Sequence, residues 1–358
     1  MIRIDEIYQN TFLPFVEDRT QTSIHWFDPF GSVRFDDIKN SKAINNKQND
    51  AQRYLFWDQE PINPTLFQPF ADEFVDVYDG TTTLITSERD SEYVNWATDT
   101  YGFKTAYYFF HGWAALDWYR GYNRSLLIKP PKERTISRTF IAPNRIVAGR
   151  RNHRLLILYH IFKNNLLNNW ISCPATCPEE NVSVVDAVRS LTAIYPDIEQ
   201  IFAQQPLPMD FPGETGHPMR SCWLDLFTES AECLLYLVTE TVATGHRLHL
   251  TEKTFKPICL RMPFVIVGTQ GSLAYLRSYG FRTFEGIWDE SYDNEPNDVL
   301  RIEQIASLLR SLDELPTAAK QDLFDQCQEV VEHNYRHFYS GTFEEILWQE
   351  LQDMLNEF

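Results

Sequence analysis

Two apolar runs set the pattern of this chain. Leu234-Leu235-Tyr236-Leu237-Val238 is continuously apolar and gives way to Thr239 and the carboxylate Glu240. Phe264-Val265-Ile266-Val267 does the same before Gly268. Short, unbroken apolar runs with β-branched residues predict strands buried on both faces. Between them, Leu250 to Pro257 carries the Thr251-Glu252-Lys253 triplet at the predicted mouth of a short helix. Upstream, Ser23–Phe27, Arg53–Trp57, Phe74–Tyr78, Thr83–Ser87 and Thr105–Phe110 are further strand candidates, with a helix predicted from Ser91 to Asp99. Pro61 and Pro64 are expected to end any regular element near them.

A second alternation opens with a strand over Thr139–Asn144 and an apolar helix from about Asn152 to Asn165. Residues 172–180 and 204–220 read as loops. Helices follow over Gly271–Tyr279, Leu300–Leu312, Thr317–His333 and Thr342–Asn356. Strands that alternate with helices predict an α/β fold with parallel sheets. Lys129-Pro130-Pro131-Lys132 has the composition of a linker. The expected domains are residues 1–135, residues 136–340, and a closing helix over 341–358 that packs back on the first.

Length supports two domains, since 358 residues exceed an ordinary single core. The net charge of −18 opposes broad nonspecific binding to nucleic acid, which depends on releasing counterions from phosphates. Against that background, Lys129 to Arg154 holds eight basic residues and one acid. Such a run points to a solvated linker or to an anionic ligand held near a domain junction. Six cysteines form no CxxC pair, and His246 and His249 lack a third partner, so no metal is expected and the thiols read as structural. No apolar run nears the roughly 20 residues that span a bilayer, and the first residues lack a signal core, which predicts a cytoplasmic protein.

The Thr-Glu-Lys triplet places a hydroxyl, a carboxylate and an ammonium within one helical turn. Helix N-termini present free N–H groups and partial positive charge, which suit phosphates. The carboxylate can accept from a ribose diol while Lys253 faces a diphosphate. A capped surface helix is the alternative for the triplet alone. The chain has no Asp-x-Asp, Walker loop, G-x-S-x-G or G-x-G-x-x-G, which removes the usual support for hydrolase, kinase and nicotinamide readings.

Three stretches together resemble the fucosyltransferase-like glycosyltransferases of the GT-B fold. They are Phe56-Trp57-Asp58-Gln59-Glu60-Pro61, then Pro143-Asn144 leading to Arg154-Leu155-Leu156, then Val238-Thr239-Glu240 twelve residues before Glu252. The likeness runs in order over most of residues 54–280, with little identity between the motifs. Thr241 stands where the family has asparagine, so the donor base or sugar is left open, with a GDP-sugar favoured. The resemblance implies two Rossmann-like domains with parallel sheets facing across a cleft. It implies an inverting, metal-independent transfer of a sugar from a nucleotide diphosphate to an acceptor hydroxyl, with glycans the favoured acceptors and no further cofactor.

Glu60 would be the general base, Glu252 the ribose ligand, Lys253 the diphosphate ligand with Arg154 as a second clamp, and Glu240 a contact to the donor sugar. Thr251 and Asn144 join the donor set, and Arg150, Arg151, His249 and Lys256 are further candidates. Which of Arg150, Arg151 and Arg154 acts as the clamp stays open. Two other readings compete: a sugar-nucleotide-binding protein without turnover, and a transferase acting on a modified nucleobase in DNA.

Overall fold

A computed structural model describes residues 7–20, 24–27, 53–57, 61–74, 80, 82–120, 130–131, 133–177, 181–211 and 227–357. The chain is mixed α/β and divides into two compact units. Unit 1 takes three stretches, Met1–Leu127, His246–Glu252 and Tyr339–Phe358; unit 2 takes Ile128–Gly245 and Lys253–Phe338.

Unit 1 is built on a parallel sheet of β1 (Ile24–Phe27), β2 (Arg53–Trp57), β3 (Thr82–Thr86) and β4 (Lys104–Tyr107), in that spatial order. The register runs Phe27 to Trp57, Trp57 to Thr86 and Thr86 to Tyr107, so the four strands end level. Trp57, Ile62, Phe67, Leu84, Ala97 and Phe103 form a core beside this sheet. The Glu92–Tyr101 helix is started by Ser91, whose hydroxyl accepts from the amides of Tyr93 and Val94, and stopped by Gly102 at φ 70. Only a residue without a Cβ takes that left-handed turn at little cost.

The Pro64–Phe74 helix corrects the expectation that the prolines end regular structure. Pro64 stands at the first helical position, where no N–H is needed, and Asn63 Oδ1 accepts from Thr65 N at 2.9 Å. Phe74 closes this helix, while the rest of the strand expected over Phe74–Tyr78 lies outside the described residues. The strand expected over Thr105–Phe110 is shorter, because Phe110 opens the Phe110–Arg120 helix.

That helix is buried along nearly its whole length, against the C-terminal Thr342–Glu357 helix. Arg120 bridges them, its Nη1 2.8 Å from Glu344, with Asp117 2.9 Å from the same guanidinium. Gly112 permits the close approach, since a Cβ there would meet Phe343 Cζ at 2.8 Å.

Unit 2 holds a second parallel sheet in the order β10 (Phe264–Val267), β9 (Cys233–Thr239), β5 (Arg138–Ala142), β6 (Trp170–Ile171). The short pair β7 (Thr176–Cys177) and β8 (Val182–Ser183) is antiparallel and separate. Every residue of β9 and β10 is buried, as the unbroken apolar runs predict. The His153–Lys163 and Asp298–Asp313 helices pack against each other, and the latter also packs on β5. One helix expected over Thr317–His333 is two, Thr317–Gln326 and Gln328–Tyr339, with Cys327 between them. The cysteines of the described residues are buried thiols. Among the described residues no helix is long and apolar enough to cross a membrane.

Candidate functional site

The strand order of unit 2 decides where a ligand fits. β5 is followed by β6 on one side, whereas β9 and β10 lie on the other. The order therefore reverses between β5 and β9. In open parallel sheets such a reversal leaves a crevice beyond the strand carboxyl ends, where ligands bind.

Asn144 and Glu240 stand just beyond those two ends, and side chains stitch them together. Thr239 Oγ1 donates to Asn144 Oδ1 at 2.9 Å, and Asn144 Nδ2 donates to Ala142 O at 3.2 Å. Asn144 N donates to Ser172 Oγ at 2.8 Å, which adds the end of β6. Glu240 is fully buried. Its Oε1 accepts from Thr254 Oγ1 at 2.6 Å and its Oε2 from Thr241 N at 3.1 Å. A buried carboxylate held this way fixes the start of the Glu252–Cys259 helix against the end of β9. Lys253, half-buried in the first turn, donates from Nζ to Thr241 Oγ1 at 3.1 Å.

Arg154 is 5% exposed, and its guanidinium faces backbone. Its Nη1 donates to Ile146 O at 2.8 Å and its Nη2 to Thr239 O at 2.9 Å and Glu240 O at 3.1 Å. His153 Nε2 lies 2.9 Å from the same Glu240 carbonyl. The N-terminus of the His153–Lys163 helix is thereby tied to the end of β9. Beside it, the Gly149–Arg151 turn carries Arg150 exposed and Arg151 buried.

The turn after β10 is closed. Asp293 Oδ1 and Oδ2 accept from the amides of Leu273 and Ala274 at 2.9 and 3.1 Å, and Asp293 O accepts from Gly271 N at 2.8 Å. Burial raises the pKa of that carboxyl, against the pull of the two amides. A carboxylate of the chain itself occupies the place an anion would take.

The structure therefore brings Asn144, Arg154, Glu240 and Lys253 together in unit 2, with Lys256 buried three residues further along the same helix. Thr251, Glu252 and His249 belong to unit 1. There Tyr119 Oη donates to Glu252 O at 3.0 Å, and buried His249 packs edge to face on His111 at 5.0 Å. Glu60 lies outside the described residues, with Asp58 and Gln59.

Sequence reasoning missed a second carboxylate, Glu88, two residues beyond β3 and 3% exposed. It accepts from Ile62 N and Ser91 Oγ, and Arg247 Nη1 lies 3.6 Å away. Arg247 also donates to Ile62 O at 3.1 Å and stacks 4.2 Å over Tyr93. The ion pair thus grips both backbone groups of Ile62. Burial raises the Glu88 pKa from its ordinary value, opposed by Arg247 and the hydrogen bonds. The segment around Arg247 is zipped onto the loop after β3, with Arg89 and Leu248 exchanging backbone bonds of 2.9 and 2.7 Å. An acid just past a strand was the available signal, the same one that singles out Glu60.

Comparison with family models, with curated protein sequences and with solved structures gave no match.

Proposed function

We propose that this chain is an inverting glycosyltransferase of GT-B architecture that draws a sugar from a nucleotide diphosphate whose phosphates are held on unit 2. The carrying observation is Lys253, held by Thr241 at the end of β9 and placed by the Thr254–Glu240 bond beside the reversal of the sheet. A diphosphate leaving group needs positive charge where its own charge develops. Lys253 supplies an ammonium there, and the nearby helix start adds amide dipoles. With Asp293 closing the turn after β10, the Lys253 helix is the better seat for the phosphates.

Within this reading Arg154 and His153 act as positioning residues. Their donors hold the Thr239 and Glu240 carbonyls and so set the crevice wall. Glu240 positions the Lys253 turn through Thr254. Glu252 is the ribose ligand, and Glu60 is the base that takes the acceptor proton, as the family resemblance implies. A GDP-sugar is the favoured donor, and lysine takes the charge-neutralising role that a divalent cation takes in Asp-x-Asp enzymes.

Calorimetry against GDP, UDP, ADP and CMP tests the proposal. The wild type binds a nucleoside diphosphate, and Lys253→Ala weakens that binding by about 1.5–3 kcal/mol, the range of a charge-assisted hydrogen bond. Unchanged affinity in a folded Lys253→Ala protein would remove the donor assignment.

A further inference from the structure

Unit 1 contains a cavity of about 490 Å³, within the size range of small-molecule sites. It sits where β3 and β4 end, since Thr86 and Tyr107 close those strands and both line it. In a parallel sheet this is the end at which ligands are held. Its other walls are the loop after β3, the first turns of the Glu92–Tyr101 helix, and Glu350 of the C-terminal helix.

The chemistry of the lining is specific. Asp90 and Glu350 present carboxylates, Asn95 and Thr105 present neutral donors and acceptors, and Tyr107 presents a half-buried ring. Arg89 is the cation of the lining, and its guanidinium lies over the Tyr107 ring at 5.7 Å and 4.0 Å from Asp90. Glu88 also lines the cavity but is committed to Arg247, Ile62 and Ser91. Glu350 is fixed in place by accepting from Phe109 N at 3.1 Å. Asp90 has φ 50, in the left-handed region that Asp enters more readily than most L residues. The His246 ring lies 3.1 Å from Asp90 O, and Arg89 forms a bridge with Leu248.

Carboxylates accept and do not donate, so they suit ligand hydroxyls or ammonium groups and repel anions. The Tyr107 ring, which lies under the Arg89 guanidinium, adds apolar carbon surface that complements the C–H face of a pyranose. We infer that this cavity holds the acceptor, and that the acceptor is an uncharged or amine-bearing saccharide rather than an anionic glycan or a nucleic acid. The inference rests on the glycosyltransferase reading for the word acceptor; the ligand class rests on the cavity alone.

Ligand-observed NMR titration separates the two. Neutral mono- and disaccharides, glucosamine, glucuronic acid and a duplex oligonucleotide are titrated into wild type, Tyr107→Ala and Asp90→Asn proteins, with GDP calorimetry on the same samples. Neutral or amino saccharides should saturate, and glucuronic acid and duplex DNA should bind at least about tenfold more weakly. Tyr107→Ala should weaken saccharide binding roughly three- to tenfold, and Asp90→Asn should narrow the gap between neutral and anionic ligands. GDP affinity should not move in either variant. Equal or tighter binding of the anions, no saccharide binding, or indifference to both substitutions overturns the inference, whatever the nucleotide result. Loss of GDP binding by the wild type, with the saccharide pattern intact, overturns the donor reading and leaves the cavity's ligand class standing.

Discussion

Glu88 and Arg247 are each costly to bury alone and tolerable as a pair. Breaking a buried, hydrogen-bonded ion pair from one side typically costs about 3–5 kcal/mol, because the survivor keeps its desolvation penalty. Glu88→Leu and Arg247→Met should each destabilise unit 1 by about that much, and the double variant by clearly less than the sum. Urea unfolding of the four proteins measures this; additive losses would mean the two side chains do not act together. The pair also shows what one sequence conceals. Ser87-Glu88-Arg89-Asp90-Ser91 is a polar run that reads as a turn, and its partner lies far along the chain. The place of Lys253 in the first turn of a short helix was legible because Thr251 and Glu252 stand beside it in sequence. Arg154 was legible in place but not in use: an arginine opening an apolar helix looks the same whether it faces a phosphate or, as here, three backbone carbonyls.

Elements with one strong local signal were read well. β2 matches its expected bounds, and the buried strands β9 and β10 follow from unbroken apolar runs. Those governed by context were not. Pro69 inside the Pro64–Phe74 helix is a breaker by propensity, yet burial of Phe67 and Ala71 keeps the helix in place. The apolar Thr105–Phe110 run hides the junction where β4 ends and a buried helix begins, because both sides are apolar. The Glu252–Cys259 helix gives a prediction at this scale. Thr254→Val keeps shape but removes the donor to a fully buried carboxylate, which costs about 1–3 kcal/mol. Stability and nucleotide affinity should fall together although Lys253 is intact, and Thr254→Ser should restore both. A Thr254→Val protein that binds nucleotide normally would show that Glu240 does not place the lysine.

Across the whole molecule, unit 1 depends on its last stretch. Phe343, Leu347, Trp348, Leu351 and Met354 are buried in the C-terminal helix, and burial of each large apolar side chain contributes about 1.5–3 kcal/mol. Removing residues 339–358 should strip hydrogen-exchange protection from residues 7–20 and 104–120 while sparing β9 and β10. Equal loss in both units would show that their stabilities are not separable. The α/β class with parallel sheets was legible from the alternation of strands and helices. The insertion of His246–Glu252 into unit 1 was not, since its bonds to the loop after β3 leave no periodic trace. This threading has a consequence for biosynthesis. The ribosome delivers the first stretch of unit 1 roughly 200 residues before the closing helix, a delay of about 10–40 s at ordinary elongation rates. Through that interval Phe109 and Gly112 lack the helix that packs beside them in the finished protein. The nascent chain is therefore a client for chaperones that shield apolar surface, and its yield should depend on them more than that of a protein whose units close in the order they are made.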